Sequence, residues 1–218
     1  MYFPRSLVAG VTTVPTFYFG YGSNLWLQQM ETRCPYSSYV GMARLNDYDW
    51  IVDTRGYANI VSASYPPSNK TEKSNEEHHV YGLVYALSPN DEDHLDKLER
   101  VPTDYTKEYM SVEFWSAKTA IRTENDTIDI LLPPTEASKE VLVYIDRSYV
   151  TPSPATSLEY IFRMNSAFED AVREGFPDAY VENVLRKYVR AKEEWEEVSW
   201  QEVHDLPNTQ IIEPDSFR

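Results

Sequence analysis

Short apolar runs separated by polar loops fill the first two thirds of the chain, and longer stripes of helical period fill the last third. Residues 17–21 (Phe-Tyr-Phe-Gly-Tyr) are aromatic and favour a strand. Further strands are predicted over 39–45, 47–53 and 58–64, and the apolar run 79–87 is the strongest of them. Over 106–115 the pattern alternates, with Met110, Val112 and Phe114 on one face and Ser111 and Glu113 on the other. A last strand is predicted over 140–150. Short, closely spaced strands favour antiparallel pairing. The polar stretches 66–77 and 123–138 read as surface insertions.

Helices are marked by their caps. Asn24 is placed to cap a short helix running through Met30. Ser88, with Pro89 at the first helical position and Asp91 three residues after the cap, predicts a helix to about Arg100. Thr156 and Glu159 form a capping box for a longer helix that Gly175 stops. Tyr180, Val181, Val184, Leu185 and Tyr188 then give a helical stripe starting near Pro177. The fold class is α+β, a β-rich domain with helices packed on it. The expected organisation is an N-terminal extension over 1–15, one domain over 16–190 and a charged C-terminal tail over 191–218.

Charge narrows the function. The 218 residues carry a net charge of −15, which argues against a nucleic-acid partner and against an anionic membrane surface. No apolar run approaches the roughly 18–20 residues of a membrane span. The apolar piece at 7–11 is too short for a signal peptide. Cys34 is the single cysteine, so an intramolecular disulfide is impossible and a reducing, cytoplasmic setting is expected. Without a secretory signal the sequons at Asn69 and Asn125 read as chance matches. Glycine is scarce at seven residues, and Gly20 and Gly22 are the place where two fall close together.

Two segments could carry chemistry. On the helix 89–100, Leu95 and Leu98 define an inward stripe, and Glu99, four residues after Leu95, shares that side. The helix dipole disfavours a carboxylate in the last turn, and burial would raise its pKa further, which suits a general acid/base. The competing reading is a helix-end glutamate paired with Lys97, Arg100 or Lys107. Glu92, seven residues earlier, reads as a surface acid. The second segment, 19–25, runs strand, turn and helix start, and presents backbone N–H groups able to hold a carboxylate or an oxyanion. It lacks the third glycine of a dinucleotide fingerprint and the Gly-Lys-Ser/Thr of a phosphate loop, and an ordinary turn is the competing reading. His78, His79, His94 and His204 show no metal-ligand spacing and read as surface imidazoles. Cys34 reads as a plain buried thiol. Tyr105, Tyr109, Tyr144 and Tyr149 could line a pocket or fill the core, and Trp26, Trp50 and Trp115 share that ambiguity.

Tyr21-Gly22-Ser23-Asn24-Leu25, directly after an aromatic strand, resembles the signature loop of the γ-glutamylcyclotransferase (AIG2-like) family. The run Val80-Tyr81-Gly82-Leu83-Val84-Tyr85, then Leu95-Asp96-Lys97-Leu98-Glu99 and Val101 to Tyr105, resembles the family's second block. Gly41-Met42-Ala43-Arg44-Leu45, with Asp47-Tyr48, resembles its early strand pair. The resemblance implies a small mixed β-barrel with flanking helices. It implies release of 5-oxoproline and a free amine from a γ-glutamyl small molecule, with no cofactor and no metal. Glu99 matches the catalytic glutamate, Tyr21, Gly22, Ser23, Asn24 and Leu25 the substrate loop, and Tyr105 and Tyr149 pocket tyrosines. The expected partner is the γ-glutamyl substrate, with no nucleic acid and no membrane, and a homodimer is left open. Arg100 departs from the glycine that usually follows the catalytic glutamate, which would put a cation beside Glu99. Similar enzymes of fungal secondary metabolism trim γ-glutamyl groups from glutathione adducts, so the same chemistry on a glutathione-derived metabolite stays open. A non-catalytic binding module of the same fold stays open as well.

Overall fold

The computed structural model describes residues 14–64, 78–118 and 127–191. Most of the extension 1–15, the insertion 66–77, the start of the stretch 123–138 and the tail from 192 on lie outside the described residues, as do Asn69, Asn125 and His204. Among the described residues, seven strands run β1 (Thr16–Gly20), β2 (Ser38–Asn46), β3 (Tyr48–Val52), β4 (Ala58–Ser62), β5 (His79–Leu87), β6 (Thr106–Ser116) and β7 (Glu136–Ile145). They are accompanied by α1 (Leu27–Arg33), α2 (Pro89–Leu98), α3 (Leu158–Glu174) and α4 (Asp178–Tyr180), the last continuing as a π turn over Val181–Leu185.

Five strands close into a barrel in the order β1-β5-β2-β6-β7, and β3 and β4 form a separate hairpin. The barrel pairs are antiparallel except the seam, where β1 and β7 meet in parallel at Tyr18 and Leu142. Closure removes the exposed sheet edges that would otherwise invite association. One bend needs glycine: β2 bulges between Tyr39 and Gly41, and a Cβ on Gly41 would stand 2.2 Å from the Trp115 carbonyl oxygen. Phe19, Met42, Leu83, Leu87, Leu142 and Ile145 fill the barrel side and Phe168 and Met164 the α3 side, all fully buried. Each such side chain contributes roughly 1.5–3 kcal/mol of transfer free energy.

Several boundaries differ from the expectations. β7 starts at Glu136, inside the stretch read as an insertion, because Glu136 to Lys139 extend the pairing with β6. It ends at Ile145, where Asp146 accepts the Ser148 and Tyr149 amides and turns the chain. Ser157, not Thr156, caps α3 by accepting the Tyr160 N–H at 3.2 Å, while Thr156 donates to the Gly56 carbonyl instead. Asn24 sits inside a single 3-10 turn over Ser23–Leu25 rather than capping α1. Ser88 does cap α2. Gly175, with φ 122, ends α3 as expected.

Candidate active site

β1 delivers the chain to one end of the barrel, and the loop from Tyr21 to Leu25 turns there against the β3–β4 hairpin. Two hydrogen bonds clamp it. The Trp50 indole donates to the Tyr21 carbonyl at 2.9 Å, and the Tyr21 hydroxyl donates to the Tyr144 carbonyl at 2.7 Å. A Cβ on Gly22 would lie 3.0 Å from the Ala58 Cβ, so glycine is what lets the loop approach β4 this closely. Tyr160, from α3, accepts the Ala58 N–H at 3.0 Å through its hydroxyl and fastens the same corner.

Behind this loop lies a cavity of about 300 Å³. Glu99 caps the C-terminus of α2, its N–H donating to the Leu95 carbonyl, and its carboxyl forms part of the wall. Asn24 Nδ2 donates to Glu99 Oε1 at 3.2 Å. Burial pushes the Glu99 carboxyl above the ordinary glutamate range, while the Arg33 guanidinium, the Asn24 bond and Arg163 pull the other way. Asn24 is the hub of the arrangement. Its Oδ1 accepts from Gln29 at 2.8 Å and from Arg33 Nη1 at 3.0 Å, so its Nδ2 must face Tyr18 Oη at 2.8 Å and Glu99. The Tyr85 hydroxyl donates to the Asn24 carbonyl at 2.9 Å, and Asn24 is itself buried.

The cations around Glu99 are not the expected ones. Lys107 is engaged by Glu92 and Asp96, and Arg100 pairs with Asp104 at 3.3 Å with most of its side chain exposed. Glu92 is therefore a partly buried ion-pair partner rather than a surface acid standing alone. Arg100 has φ 53, a left-handed backbone conformation that glycine adopts without cost and other residues at roughly 1–2 kcal/mol. That conformation swings its side chain to the cavity rim. Leu98, expected to face inward with Leu95, is 43% exposed and lines the same rim, because α2 ends there.

Of the predicted residues, Tyr21, Gly22, Ser23, Asn24, Glu99 and Tyr105 come together on the cavity wall. Leu25 and Tyr149 are not brought there. Leu25 is fully buried in the core, on the inner side of the 3-10 turn. Tyr149 follows the Asp146 turn outward, is 44% exposed, and stacks on Arg55 with the guanidinium 4.2 Å from its ring centre. The Tyr105 hydroxyl donates to the Ala58 carbonyl at 3.1 Å. Arg33, Arg55 and Arg163 line the cavity although sequence reasoning does not single them out. Arg33 leaves a faint signal as the sole cation between Thr16 and Ala43. Nothing in the sequence ties Arg163 to a loop 140 positions earlier. Cys34 is buried, and burial pushes its thiol up to about 12, which leaves no thiolate at neutral pH. His78 meets Asp49 at 2.7 Å and His79 packs against Tyr81 and Tyr180, so neither is a plain surface imidazole.

The sequence profile of the family "Gamma-glutamyl cyclotransferase, AIG2-like" matches residues 18–145. The chain belongs to this family. The γ-glutamyl cyclotransferase match spans the barrel, the loop and Glu99, and leaves α3, with Arg163, beyond it. Among solved structures the chain is similar to one named "Gamma-glutamyl cyclotransferase", with TM-score 0.54 and 18% identity over 87% of this chain and 96% of that one. It is similar also to the uncharacterized protein loc79017 from Homo sapiens, with TM-score 0.56 and 20% identity over 85% of this chain and 98% of that one. These likenesses establish the cyclotransferase-like fold, a small mixed β-barrel with flanking helices. No match is found among curated proteins.

Proposed function

We propose that this protein is a γ-glutamylcyclotransferase that releases 5-oxoproline and a free amine, with Glu99 as general acid/base. The observation that carries this reading is the Glu99 carboxyl in the cavity wall, oriented by Asn24 and raised in pKa by burial. The substrate's own α-amine attacks its γ-carbonyl carbon, forming the lactam C–N bond and breaking the amide C–N bond. Glu99 takes a proton from the attacking nitrogen and returns it to the departing amine. No protein nucleophile is needed, because an intramolecular attack held in geometry reaches effective molarities of about 10⁵–10⁸ M. Backbone N–H groups at the Gly22–Ser23 turn meet the developing oxyanion, an interaction worth about 3–4 kcal/mol in comparable sites.

The leaving amine is the open variable. Leu98 and Tyr57, 43% and 41% exposed, line the rim and favour an amine with an apolar body, as in a larger glutathione-derived conjugate. The test is mass spectrometry of products from a panel of γ-glutamyl substrates, run with the wild type and with Glu99→Gln. We expect 5-oxoproline from the wild type and a loss of roughly 10²–10⁴-fold in the folded variant. Undiminished 5-oxoproline release by Glu99→Gln would remove Glu99 from the reaction. Binding of substrates with no 5-oxoproline from any of them would leave a binding module.

A further inference from the structure

Arg33 is an underused cation. Of its five N–H donors, one on Nη1 goes to Asn24, and Nε is buried with no hydrogen-bond partner among the described residues. Burial and the neighbouring Arg163 both press its pKa downward, and Glu99 is the carboxylate that counters them. The other arginines of the wall are matched already. Glu159, one turn earlier on α3, pairs with Arg163 at 2.6 Å. Asp53 and Asp146 hold Arg55, and Asp104 holds Arg100. Among the described residues, that leaves Glu99 and Arg33 as the carboxylate and the cation of the wall without an ion-pair partner of their own, both bonded to the same Asn24 amide.

We infer that Arg33 is the anchor for the α-carboxylate of a zwitterionic amino-acid head group, which here is the head of the γ-glutamyl group. This rests on the cyclotransferase reading. The geometry follows from the reaction's own constraint. Glu99 must reach the α-ammonium, and the α-carboxylate stands on the same carbon, so its partner must lie beside Glu99. Arg33 and Glu99 are held side by side by the two ends of one amide, as the two opposite charges of the head group require. Binding exchanges the Arg33–Glu99 attraction for two substrate contacts. The groups that face Glu99 otherwise are Arg163, the Cys34 thiol and the hydroxyls of Tyr18, Tyr21, Tyr105 and Tyr160. Each of those four hydroxyls has its pKa pushed upward, chiefly by burial, and stays neutral, so none adds an anion that would compete for Arg33.

The discriminating substrate is a 4-aminobutyryl amide, which lacks the α-carboxylate but can cyclise to 2-pyrrolidinone by the same attack. With one leaving amine on both, the wild type should prefer the γ-glutamyl amide by about 10–100-fold in kcat/KM, the range for hydrogen bonds to a charged group. Arg33→Met should bring that ratio to within about threefold by losing the γ-glutamyl reaction and keeping the 4-aminobutyryl one. Retained 4-aminobutyryl turnover also reports that the variant is folded. A ratio unchanged from wild type overturns the inference. If Arg33→Met does not fold, Arg33→Lys, which keeps the charge but not the forked donors, should lose several-fold of the ratio, and no loss there overturns the inference too. Binding gives an independent arm that survives failure of the cyclotransferase reading. The wild type should bind 5-oxoproline more tightly than 2-pyrrolidinone in calorimetry, and equal affinities count against Arg33 as the anchor.

Discussion

The outer surface and the cavity of this protein use charge differently. The chain as a whole stands at −15, yet the cavity wall holds four arginines, at positions 33, 55, 100 and 163, three of which are paired by Asp53, Asp146, Asp104 and Glu159, which leaves Arg33 beside Glu99. An anionic group is therefore repelled weakly at long range and attracted at Arg33, the wall arginine with no ion-pair partner among the described residues. Salt screens the first effect within about 8 Å at physiological ionic strength, whereas enclosed charges are screened far less. Net charge thus describes the chain as a whole and says little about what the site binds. The local arrangement decides that, and it can be broken one charge at a time.

Removing charge inside the cavity should have the largest effect. Glu99→Gln should cost roughly 10²–10⁴-fold in 5-oxoproline release, with the barrel intact. Next comes Arg55, which lies between two buried carboxylates. It meets Asp53 at 2.7 Å and Asp146 at 2.8 Å, and its guanidinium stacks on Tyr105 and Tyr149. Asp53 is fully buried and Asp146 nearly so, and the trio ties the β3–β4 hairpin to the end of β7. Arg55→Met leaves both acids unpaired and should cost about 3–5 kcal/mol. Thermal unfolding should then fall by roughly 6–20 °C, at about 2–4 °C per kcal/mol. A shift under about 2 °C, less than 1 kcal/mol is worth, would mean that the trio does not fasten the hairpin.

The third effect has the opposite sign. The folded pKa of Glu99 lies above its unfolded value because burial opposes its charge. The folded state therefore binds the proton more strongly, and stability falls as pH rises from the unfolded pKa through the folded one. Glu99→Gln should raise the unfolding temperature at pH 7–8 by a few degrees, since each tenfold difference in proton affinity between the two states is worth about 1.4 kcal/mol. The gain should vanish near pH 4, where wild-type Glu99 is largely protonated in both states. A variant less stable than wild type at pH 8 contradicts this reading of the buried carboxyl.

These contrasts explain what can be read from the sequence. Element type is legible because it is local. The alternation over 106–115, the Ser88 cap and the Gly175 stop each act within a few residues, and all three recur in the structure. Glu99 and the 21–25 loop are legible as neighbours only through resemblance, since β1 and α2 are brought together by barrel closure. Arg33 and Arg163 escape a sequence reading because a cation's role depends on which carboxylate reaches it first. Lys107, a partner for Glu99 only in the competing reading, is taken by Glu92 and Asp96. Arg100, adjacent in sequence, is taken by Asp104. Leu98 breaks its stripe because the helix ends at that residue. Competition among neighbours distant in sequence leaves no periodic trace.

The smallest effect belongs to the exterior. Arg147 and Glu108 pair at 2.6 Å on the barrel surface, with 45% and 33% of their side chains exposed. The Arg147 hydrogen bond holds the Glu108 carboxyl below the ordinary glutamate range. A depressed carboxylate pKa contributes stability above the unfolded pKa and loses it as pH falls through the folded pKa. Solvent discounts that contribution to about 0.2–1 kcal/mol. Arg147→Gln should lower the unfolding temperature at pH 7 by at most about 4 °C. The difference should shrink in 1 M salt, where the Debye length is about 3 Å. It should also fade below pH 4 as Glu108 protonates, and kcat/KM should not move. A loss equal to that of Arg55→Met would mean that exterior and interior charges weigh alike, and the contrast between the two regions would then rest on position alone.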